Sequence, residues 1–112
     1  MDNQKDFVIE NGVLMAYNGE QDEVIIPDGI THIGENAFRG NRAAQIIRVP
    51  SGVVSNEDDA FSYCEGLQEI ELPGTLKRIG FEAFFQCKKL AHISIPASVT
   101  VIEKRRSCFA IV

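Results

Sequence analysis

Every proline in this chain lies 23 residues from the next, and this spacing constrains the fold more than any other feature. The four prolines are Pro27, Pro50, Pro73 and Pro96. The same interval separates the Ala-Phe pairs at 37–38, 60–61 and 83–84, and it separates Cys64 from Cys87. A fixed period of this length is typical of solenoids, in which neighbouring coils stack and share one hydrophobic core. The 112 residues divide into a 20-residue N-terminal segment and four such periods.

The apolar residues of the repeat fall in columns. In the third repeat they stand at offsets 0, 3, 5, 9, 12, 16, 17 and 20 from its first residue. Applied to repeats that start at Gln21, Ala44, Leu67 and Leu90, these offsets select 32 positions, of which 27 are apolar. An apolar fraction of 45% would put only about 14 apolar residues there. The columns therefore predict a core in which each side chain packs on its equivalent in the next coil.

The third repeat resembles that of a known family. Residues 67–87 read Leu-x-x-Ile-x-Leu-Pro-x-x-Leu-x-x-Ile-Gly-x-x-Ala-Phe-x-x-Cys, which is similar to the BspA-type leucine-rich repeat. The resemblance covers residues 21–112, and residues 6–14 are similar to a segment that often precedes such repeats. It implies a leucine-rich-repeat solenoid that binds other proteins, as the bacterial surface adhesins of this type do.

Each repeat also predicts its own local structure. Inward and outward residues alternate in four short segments, which indicates parallel strands. The predicted strands occupy residues 24–26, 47–49, 70–72 and 93–95. The proline at the end of each strand lacks an N–H donor and ends the ladder. We expect Gly34 and Gly80 to let the chain turn a corner, and residues 35–40 and 58–63 to form single helical turns. The predicted fold class is an α/β solenoid, a short right-handed leucine-rich-repeat stack of four 23-residue coils.

An open solenoid leaves apolar ends that need caps. Two alternating segments flank Asn11-Gly12, a dipeptide that favours a two-residue type I′ turn, and they predict an N-terminal β-hairpin cap. In the fourth repeat Arg106 and Ser107 replace the Ala-Phe pair, which predicts a degenerate C-terminal cap. The predicted division is a hairpin cap at 1–20 and leucine-rich repeats at 21–112, with coils at 21–43, 44–66, 67–89 and 90–112.

One polar residue interrupts the core columns. Asn56 stands where the other repeats have Ile33, Ile79 and Ile102. A buried amide without partners costs about 1–3 kcal/mol. Either Val54 takes the inward position through a local change of register, or Asn56 meets a water molecule or a backbone group. We expect the change of register.

No set of side chains in this sequence suits catalysis. His32 and His92 fall in different columns two to three coils apart, and neither belongs to a nucleophile–base arrangement. The acidic run at 57–59 lacks the glycine and the distal glutamate of a calcium loop. Cys64 and Cys87 share a column at a spacing close to that of a disulfide, but two small buried side chains with free thiols are the preferred interpretation. We predict no enzyme activity, no cofactor and no metal site.

Function is expected on the outward face of the predicted strands. Ile25 and Ile46 are unusual on a solvated strand surface, lie on neighbouring coils and have Arg48 beside them. Small apolar clusters rimmed by charge often mark protein contacts, although two isoleucines also suit strand propensity alone. The candidate partner-binding residues are Ile25, Ile46, Arg48, Glu69, Glu71, His92 and Ser94.

The charge pattern narrows the class of partner. With 11 basic and 16 acidic residues the chain carries a net charge of −5, which disfavours nucleic acid. No apolar run approaches the roughly 20 residues that cross a bilayer, so membrane insertion is not expected. Residues 1–60 carry a net charge of −7 and residues 61–112 a net charge of +2. Because the two ends of the stack have opposite charge, weak head-to-tail self-association is a further alternative.

These observations predict a non-enzymatic protein–protein interaction module that presents a concave strand face to a protein partner. The alternatives are a bacterial cell-surface adhesin, which the resemblance implies, and a fragment of a longer exported repeat array. The polar N-terminus does not read as a secretory signal, which predicts a cytoplasmic protein with reduced cysteines. A chain cut from an exported precursor would instead be at the cell surface or secreted.

Overall fold

The computed structural model describes residues 4–91 and 93–103, and over that range the repeats form a β-solenoid of about four coils. The predicted C-terminal cap at Arg106 and Ser107 lies outside the described residues. A short 3₁₀-helix at Gln4–Asp6 precedes the strands. The strands are β1 (Phe7–Glu10), β2 (Val13–Tyr17), β3 (Glu23–Ile25), β4 (His32–Ile33), β5 (Ile46–Arg48), β6 (Ser55–Asn56), β7 (Glu69–Glu71), β8 (Arg78–Ile79) and β9 (Val101–Ile102).

The strands form two sheets on different sides of the coils. Sheet A has six strands in the order β1-β2-β4-β6-β8-β9, and sheet B has three in the order β3-β5-β7. Neighbouring coils pair in parallel, so that Val24, Ile47 and Ile70 form one buried row of sheet B. Sheet B confirms the strands predicted in the first three repeats, each one residue earlier than predicted. Residues 93–95 form no strand, and sheet A was not predicted.

The third side of each coil is made of turns, and this corrects the predicted α/β class. The described residues contain no α-helix, so the fold is a β-solenoid. Within residues 36–41, amides bond alternately to the next coil and to a carbonyl three residues back. The Phe38 N–H donates to Ala60 O at 2.8 Å, whereas the Arg39 N–H donates to Asn36 O at 3.1 Å. Because every second amide is used between coils, the i to i−4 bonds of a helix cannot form.

The backbone conformation of these turns excludes a helix for a second reason. In the second coil Asp59 and Tyr63 have positive φ, at 58° and 60°, inside the segment predicted as a helical turn. The left-handed region interrupts a right-handed helix wherever it occurs. Stacking repeats this conformation at the same places in neighbouring coils. The equivalent residues are Asn36 and Gly40 in the first coil and Glu82 and Gln86 in the third.

The N-terminal hairpin is present and continues sheet A. Asn11 and Gly12 both have positive φ, at 51° and 79°, as the predicted type I′ turn requires. β2 pairs antiparallel with β1 and parallel with β4, so the hairpin adds two strands in front of the first coil. The ring of Tyr17 lies 5.1 Å from that of Phe38, centroid to centroid, and extends the aromatic column of the core. The domain boundaries and the handedness of the stack stay predictions.

The aromatic column shows how one coil stabilises the next. Phe38, Phe61 and Phe84 are all buried, and their ring centroids lie 5.1 and 5.4 Å apart along the stack. Stacked aromatic pairs add about 0.5–1.5 kcal/mol beyond the area that they bury. Since the middle ring contacts rings on both sides, the core belongs to neighbouring coils together rather than to any one of them.

Two glycines predicted to act at corners stand where the preceding layer of the solenoid approaches closely. A Cβ at Gly80 would lie 2.5 Å from the carbonyl carbon of Glu57 and 2.6 Å from the amide nitrogen of Asp58. A Cβ at Gly34 would lie 2.7 Å from the carbonyl oxygen of Leu14. Neither glycine has positive φ. Both glycines follow directly after a strand of sheet A, and they are needed there because a side chain has no space rather than because of a positive φ.

Asn56 lies in the core, and the expected change of register is wrong. β6 pairs in register with β4 and β8, which puts the fully buried Asn56 between Ile33 and Ile79. Its Oδ1 and Nδ2 atoms have no hydrogen-bond partner among the described residues. Val54 is half-buried and does not replace it. The neighbouring strands fix the register, because a slip of one residue would turn every side chain of β6 to the other face.

Replacing Asn56 by valine should stabilise the fold. The substitution removes two buried polar atoms without partners and puts an apolar side chain between two isoleucines. We expect the free energy of unfolding, measured by urea denaturation, to rise by about 1–2 kcal/mol. Asn18 is exposed, and Asn18→Val is the matched control with an expected change below about 0.5 kcal/mol. A clear loss of stability in Asn56→Val would show that the amide has a partner, such as a buried water molecule.

Cys64 and Cys87 are buried and form no disulfide with each other, in agreement with the preferred interpretation of the sequence. Each thiol donates to a carbonyl oxygen at 3.1 Å, Cys64 to Phe38 and Cys87 to Phe61. Burial raises the pKa of the Cys64 thiol, and the neighbouring Cys87 raises it further. Cys108 lies outside the described residues. The two thiols act as small core side chains.

The free energy of unfolding should fall at alkaline pH because of Cys64. Its thiol stays protonated in the folded protein at a pH where the same thiol ionises in the unfolded chain, which has a pKa of about 8.5. The stability is fully present below that pH and falls above it by about 1.4 kcal/mol per pH unit. Urea denaturation of wild type and Cys64→Ala from about pH 7 to about pH 10 measures the effect. The stability difference between them should shrink as the pH rises, and a constant difference would contradict the prediction.

Candidate interaction surface

The outward residues of sheet B form one continuous surface, here called the sheet-B face. Strand alternation directs these side chains away from the core, while their neighbours along each strand are buried. The face consists of Glu23, Ile46 and Glu69 in one row and Ile25, Arg48 and Glu71 in the next. Five of the seven residues predicted from the sequence are therefore brought together. Their role in binding stays a prediction.

The two isoleucines of the sheet-B face differ in exposure. Ile25 is 64% exposed, the highest value among the exposed large apolar side chains that the structure describes. Ile46, on the neighbouring strand, is half-buried. Exposed apolar area next to charged groups is the kind of surface that a protein partner buries. The apolar part of the face is thus centred on β3 and β5.

Arg48 links the three strands of the sheet-B face. Its Nε donates to Glu23 Oε2 at 2.8 Å, and its Nη1 donates to Glu71 Oε2 at 3.1 Å. These hydrogen bonds raise the pKa of the Arg48 guanidinium, which stays charged. The network adds little to stability because it is solvated, but it orients the guanidinium over the middle of the face. Glu23 was missed as a site residue, although its outward offset and its charge opposite to Arg48 were visible in the sequence.

The remaining predicted residues lie toward the fourth coil. Glu69 is exposed and makes no ion pair within the described part of the chain. Ser94 is exposed and lies beyond β7. His92 lies outside the described residues, so its predicted place on this face is untested. His32 is half-buried, with its Nδ1 3.0 Å from the Oγ1 of Thr31.

A groove opens between β7 and the fourth coil on the side of sheet B. Between the second and third coils the Val49 N–H donates to Glu71 O at 3.0 Å. The equivalent bond from the Leu72 N–H to Ser94 O is missing, although both residues are described. The opening has a volume of about 770 Å³ and is lined by residues around β7 and by residues 93–96. Its volume lies within the range of ligand pockets, about 300–1,000 Å³.

The fourth coil stays attached on the side of sheet A. The Thr100 N–H donates to Lys77 O, and the Glu103 N–H donates to Ile79 O, both at 2.9 Å. The Ser98 hydroxyl donates to Leu76 O at 2.6 Å. The fourth coil is therefore closed on one side and open on the other, and the groove extends the sheet-B face beyond β7.

The described residues form neither a metal-binding cluster nor a membrane-spanning helix. No group of three or more His, Cys, Asp or Glu side chains among them is arranged to hold a metal ion. No helix in that part of the chain has the length and the apolar character needed to span a bilayer.

Comparison with known families identifies the repeat. The family described as "BspA type Leucine rich repeat region (6 copies)" matches residues 9–110. The chain belongs to the BspA-type leucine-rich repeat family. The membership predicted from the third repeat is thus confirmed, and the match also includes most of the hairpin. Proteins of this repeat family are typically non-enzymatic binding modules, which suggests the same class for this BspA-type protein.

Solved structures agree with the solenoid. A leucine-rich repeat protein of T. pallidum is 31% identical to this BspA-type chain, with a TM-score of 0.86 over 91% of the chain and 53% of its own length. The chain thus spans about half of that relative. A leucine-rich repeat protein of Bacteroides capillosus is 24% identical, with a TM-score of 0.74 over 89% of the chain and 99% of its own length.

A third structure shows the fold alone. The pneumococcal vaccine antigen PcpA is 15% identical to the BspA-type chain, with a TM-score of 0.66 over 95% of the chain and 38% of its own length. These neighbours are bacterial, and a bacterial origin of the chain is consistent with them. No curated protein gives a significant sequence match.

Proposed function

We propose that the protein is a non-enzymatic interaction module that binds a protein partner through the sheet-B face. The observation that carries the proposal is the exposed Ile25 beside Ile46, rimmed by the hydrogen-bonded Glu23–Arg48–Glu71 network. Protein interfaces combine a small apolar centre with a charged rim in this way. Family membership supports the same class of function.

The charged network favours binding because it is already ordered. A long arginine side chain loses conformational entropy when a partner fixes it, and this loss weakens binding. Hydrogen bonds to Glu23 and Glu71 have fixed Arg48 in advance. Three strands spaced by about 4.8 Å give a face only about 10 Å wide, so the groove beside Ser94 is needed to enlarge the contact. Glu69 and Ser94, and His92 by its repeat position, are proposed to line this extension of a concave face.

A surface role in bacteria is the second candidate. The relative from T. pallidum is about twice as long as the part that the chain matches, which supports one section of a longer repeat array. The resemblance to surface adhesins of this repeat type supports the adhesin role. Fractionation of the source cells distinguishes this role from a cytoplasmic one. Protein found only in the cytosol would count against export.

Introducing positive charge on the apolar centre should abolish binding. The double variant Ile25→Lys/Ile46→Lys, used as bait against extracts of the source organism or of its host, should lose the protein that the wild type retains. A partner docked over these residues would meet two charged, hydrated ammonium groups in place of the apolar side chains that it packs on, and would have to desolvate them. The loss expected for the purified partner is at least 100-fold in Kd.

The control is an exposed apolar residue on the other sheet. Val101 is 41% exposed at the edge of sheet A, and Val101→Lys should bind the partner like the wild type. Circular dichroism checks that all variants keep the fold. Equal loss in both variants, or unchanged binding of the double variant, would remove the sheet-B face as the binding surface.

A further inference from the structure

Sheet B ends at β3 without a covering strand. The hairpin places two strands before the first coil in sheet A, but sheet B begins with β3 itself. An edge strand presents unpaired backbone groups, which another extended chain can pair with. The N-terminal end of the solenoid is therefore uncovered on the side of sheet B.

The direction of the free backbone groups follows from the bonds of sheet B. Asp22 O accepts from the Ile46 N–H at 3.0 Å, and the Ile26 N–H donates to Arg48 O at 3.1 Å. In a parallel pair successive residues direct their backbone groups to opposite sides. The N–H and C=O groups of Glu23 and Ile25 consequently point away from β5. None of the hydrogen bonds between described residues involves these outward groups.

The other strand edges in the described part of the chain are less accessible. β1 carries an irregularity between Val8 and Ile9, and such bulges protect an edge from further pairing. β9 has only two residues, and β7 faces residues 93–96 across the groove. β3 thus combines a regular backbone with an uncovered edge.

The side chains around this edge favour a basic partner. Residues 18–31 contain four acidic side chains and no lysine or arginine, and Glu23 alone among the four forms an ion pair with a described residue. The other three are Glu20, Asp22 and Asp28, all exposed. Ile25, on β3 itself, adds the most exposed large apolar side chain of the described residues.

We propose that the free edge of β3 binds an extended peptide in which basic and apolar residues alternate along one face, as an added strand of sheet B. The inference rests on the proposed function, because Ile25 belongs to both surfaces, and it names the class of partner. Main-chain hydrogen bonds to Glu23 and Ile25 provide the affinity, and contacts with the neighbouring side chains determine which peptide sequences bind. A neighbouring strand places its outward side chains about 4.5–5.5 Å from those of β3, so an apolar residue packs on Ile25 while a basic residue lies near Glu23 and Asp22.

The test uses a synthetic probe rather than an unknown partner. The labelled octapeptide Arg-Thr-Ile-Thr-Arg-Thr-Ile-Thr places arginine and isoleucine on one face when extended, and its counterpart has glutamate for arginine. Fluorescence anisotropy measures the binding of both to the whole chain. We expect saturable binding of the arginine peptide, and at least tenfold weaker binding of the glutamate peptide. Equal binding of the two, or no saturable binding of the arginine peptide, would overturn the proposal.

Two variants at one position isolate the main-chain contact. Ile25→Pro removes the outward N–H, and proline is tolerated where an edge N–H faces solvent. Ile25→Val keeps the N–H and a similar apolar side chain. We expect the proline variant to bind the arginine peptide at least tenfold more weakly than the valine variant. Equal affinity of the two variants would overturn the proposal.

A measurement on the wild type keeps the test valid if Ile25→Pro does not fold. Amide hydrogen exchange followed by NMR should slow at Glu23 and Ile25 when the arginine peptide binds. It should be unchanged at Val101, which is on the edge of sheet A. Slowing at Val101 but not at Ile25 would contradict the proposal. So would a dimer of the chain alone that Ile25→Pro abolishes, because the edge would then belong to a second copy.

Separate experiments distinguish a wrong assignment of the β3 edge from a wrong assignment of the sheet-B face. The octapeptide tests the edge of β3, whereas capture of the natural partner tests the sheet-B face. Equal peptide binding by Ile25→Pro and Ile25→Val would reject the edge and leave the face in place. Normal capture of the natural partner by Ile25→Lys/Ile46→Lys would reject the face, whatever the peptide does.

Discussion

Phe61→Ala is expected to lower the free energy of unfolding by about 3–5 kcal/mol. Phe61 is fully buried and stacks on Phe38 and Phe84 at 5.1 and 5.4 Å. Truncation removes contacts with both neighbouring coils and leaves a cavity that the rigid ladders on three sides cannot close. In a solenoid the interfaces between coils hold the repeats together, so a loss at the middle coil weakens the whole stack.

Urea denaturation measures this loss, and Val101→Ala serves as the control. Val101 is also apolar but 41% exposed, and its truncation should cost less than about 1 kcal/mol. The two midpoints should therefore separate clearly at equal m-values. A loss below about 1 kcal/mol for Phe61→Ala would mean that the aromatic column does not join the coils.

Gly80→Ala should have the second largest effect, a loss of about 3 kcal/mol. The new Cβ would lie 2.5 and 2.6 Å from backbone atoms of Glu57 and Asp58. Because these atoms belong to the main chain of the preceding coil, no side-chain rotation relieves the clash. The third coil would have to move away from the second, which stretches hydrogen bonds such as that from the Gly80 N–H to Asn56 O at 2.7 Å.

Gly74→Ala is the matched control for this substitution. A Cβ at Gly74 would meet no atom within 4 Å, and its φ is not positive. We expect a change in the free energy of unfolding below about 0.5 kcal/mol, of either sign. Equal effects of the two alanine substitutions would show that the coils are not packed as closely as described.

The core and the hairpin could be predicted from the sequence because both depend on short patterns. Val24 and Phe61 lie in columns that repeat every 23 residues, and stacking buries each column whatever its surroundings. The turn at Asn11-Gly12 depends on two residues that tolerate positive φ. These signals are local, or periodic along the chain, and need no knowledge of the sheets.

The second sheet and the turns could not be predicted in the same way. β4 and β6 have two residues each, too few to show an alternation. Residues 36–41 look suited to a helical turn, but half of their amides bond to the next coil. That choice between local and inter-coil bonds depends on the neighbouring coil. The buried Asn56 is a similar case. An asparagine side chain prefers a solvated position, but the pairing of β6 with β4 and β8 fixes the register that buries it.

The candidate site could be predicted only in part, because some of its features depend on contacts between coils. The outward offsets identified Ile25 and Arg48, since strand alternation alone separates outward from inward residues. The free edge of β3 depends on where the hairpin docks, and no residue of β3 signals it. The groove beside Ser94 depends on missing bonds to β7, while the sequence at 93–95 still follows the repeat.

The central claim is that the sheet-B face is the surface that binds the protein's partner, and photo-crosslinking from that face tests it most directly. A photo-reactive phenylalanine analogue replaces Ile25 in one variant and Val101, on sheet A, in the other. Both are expressed in the source organism and irradiated. We predict a discrete protein adduct from position 25 and none from position 101. An adduct from position 101 with none from position 25 would contradict the account.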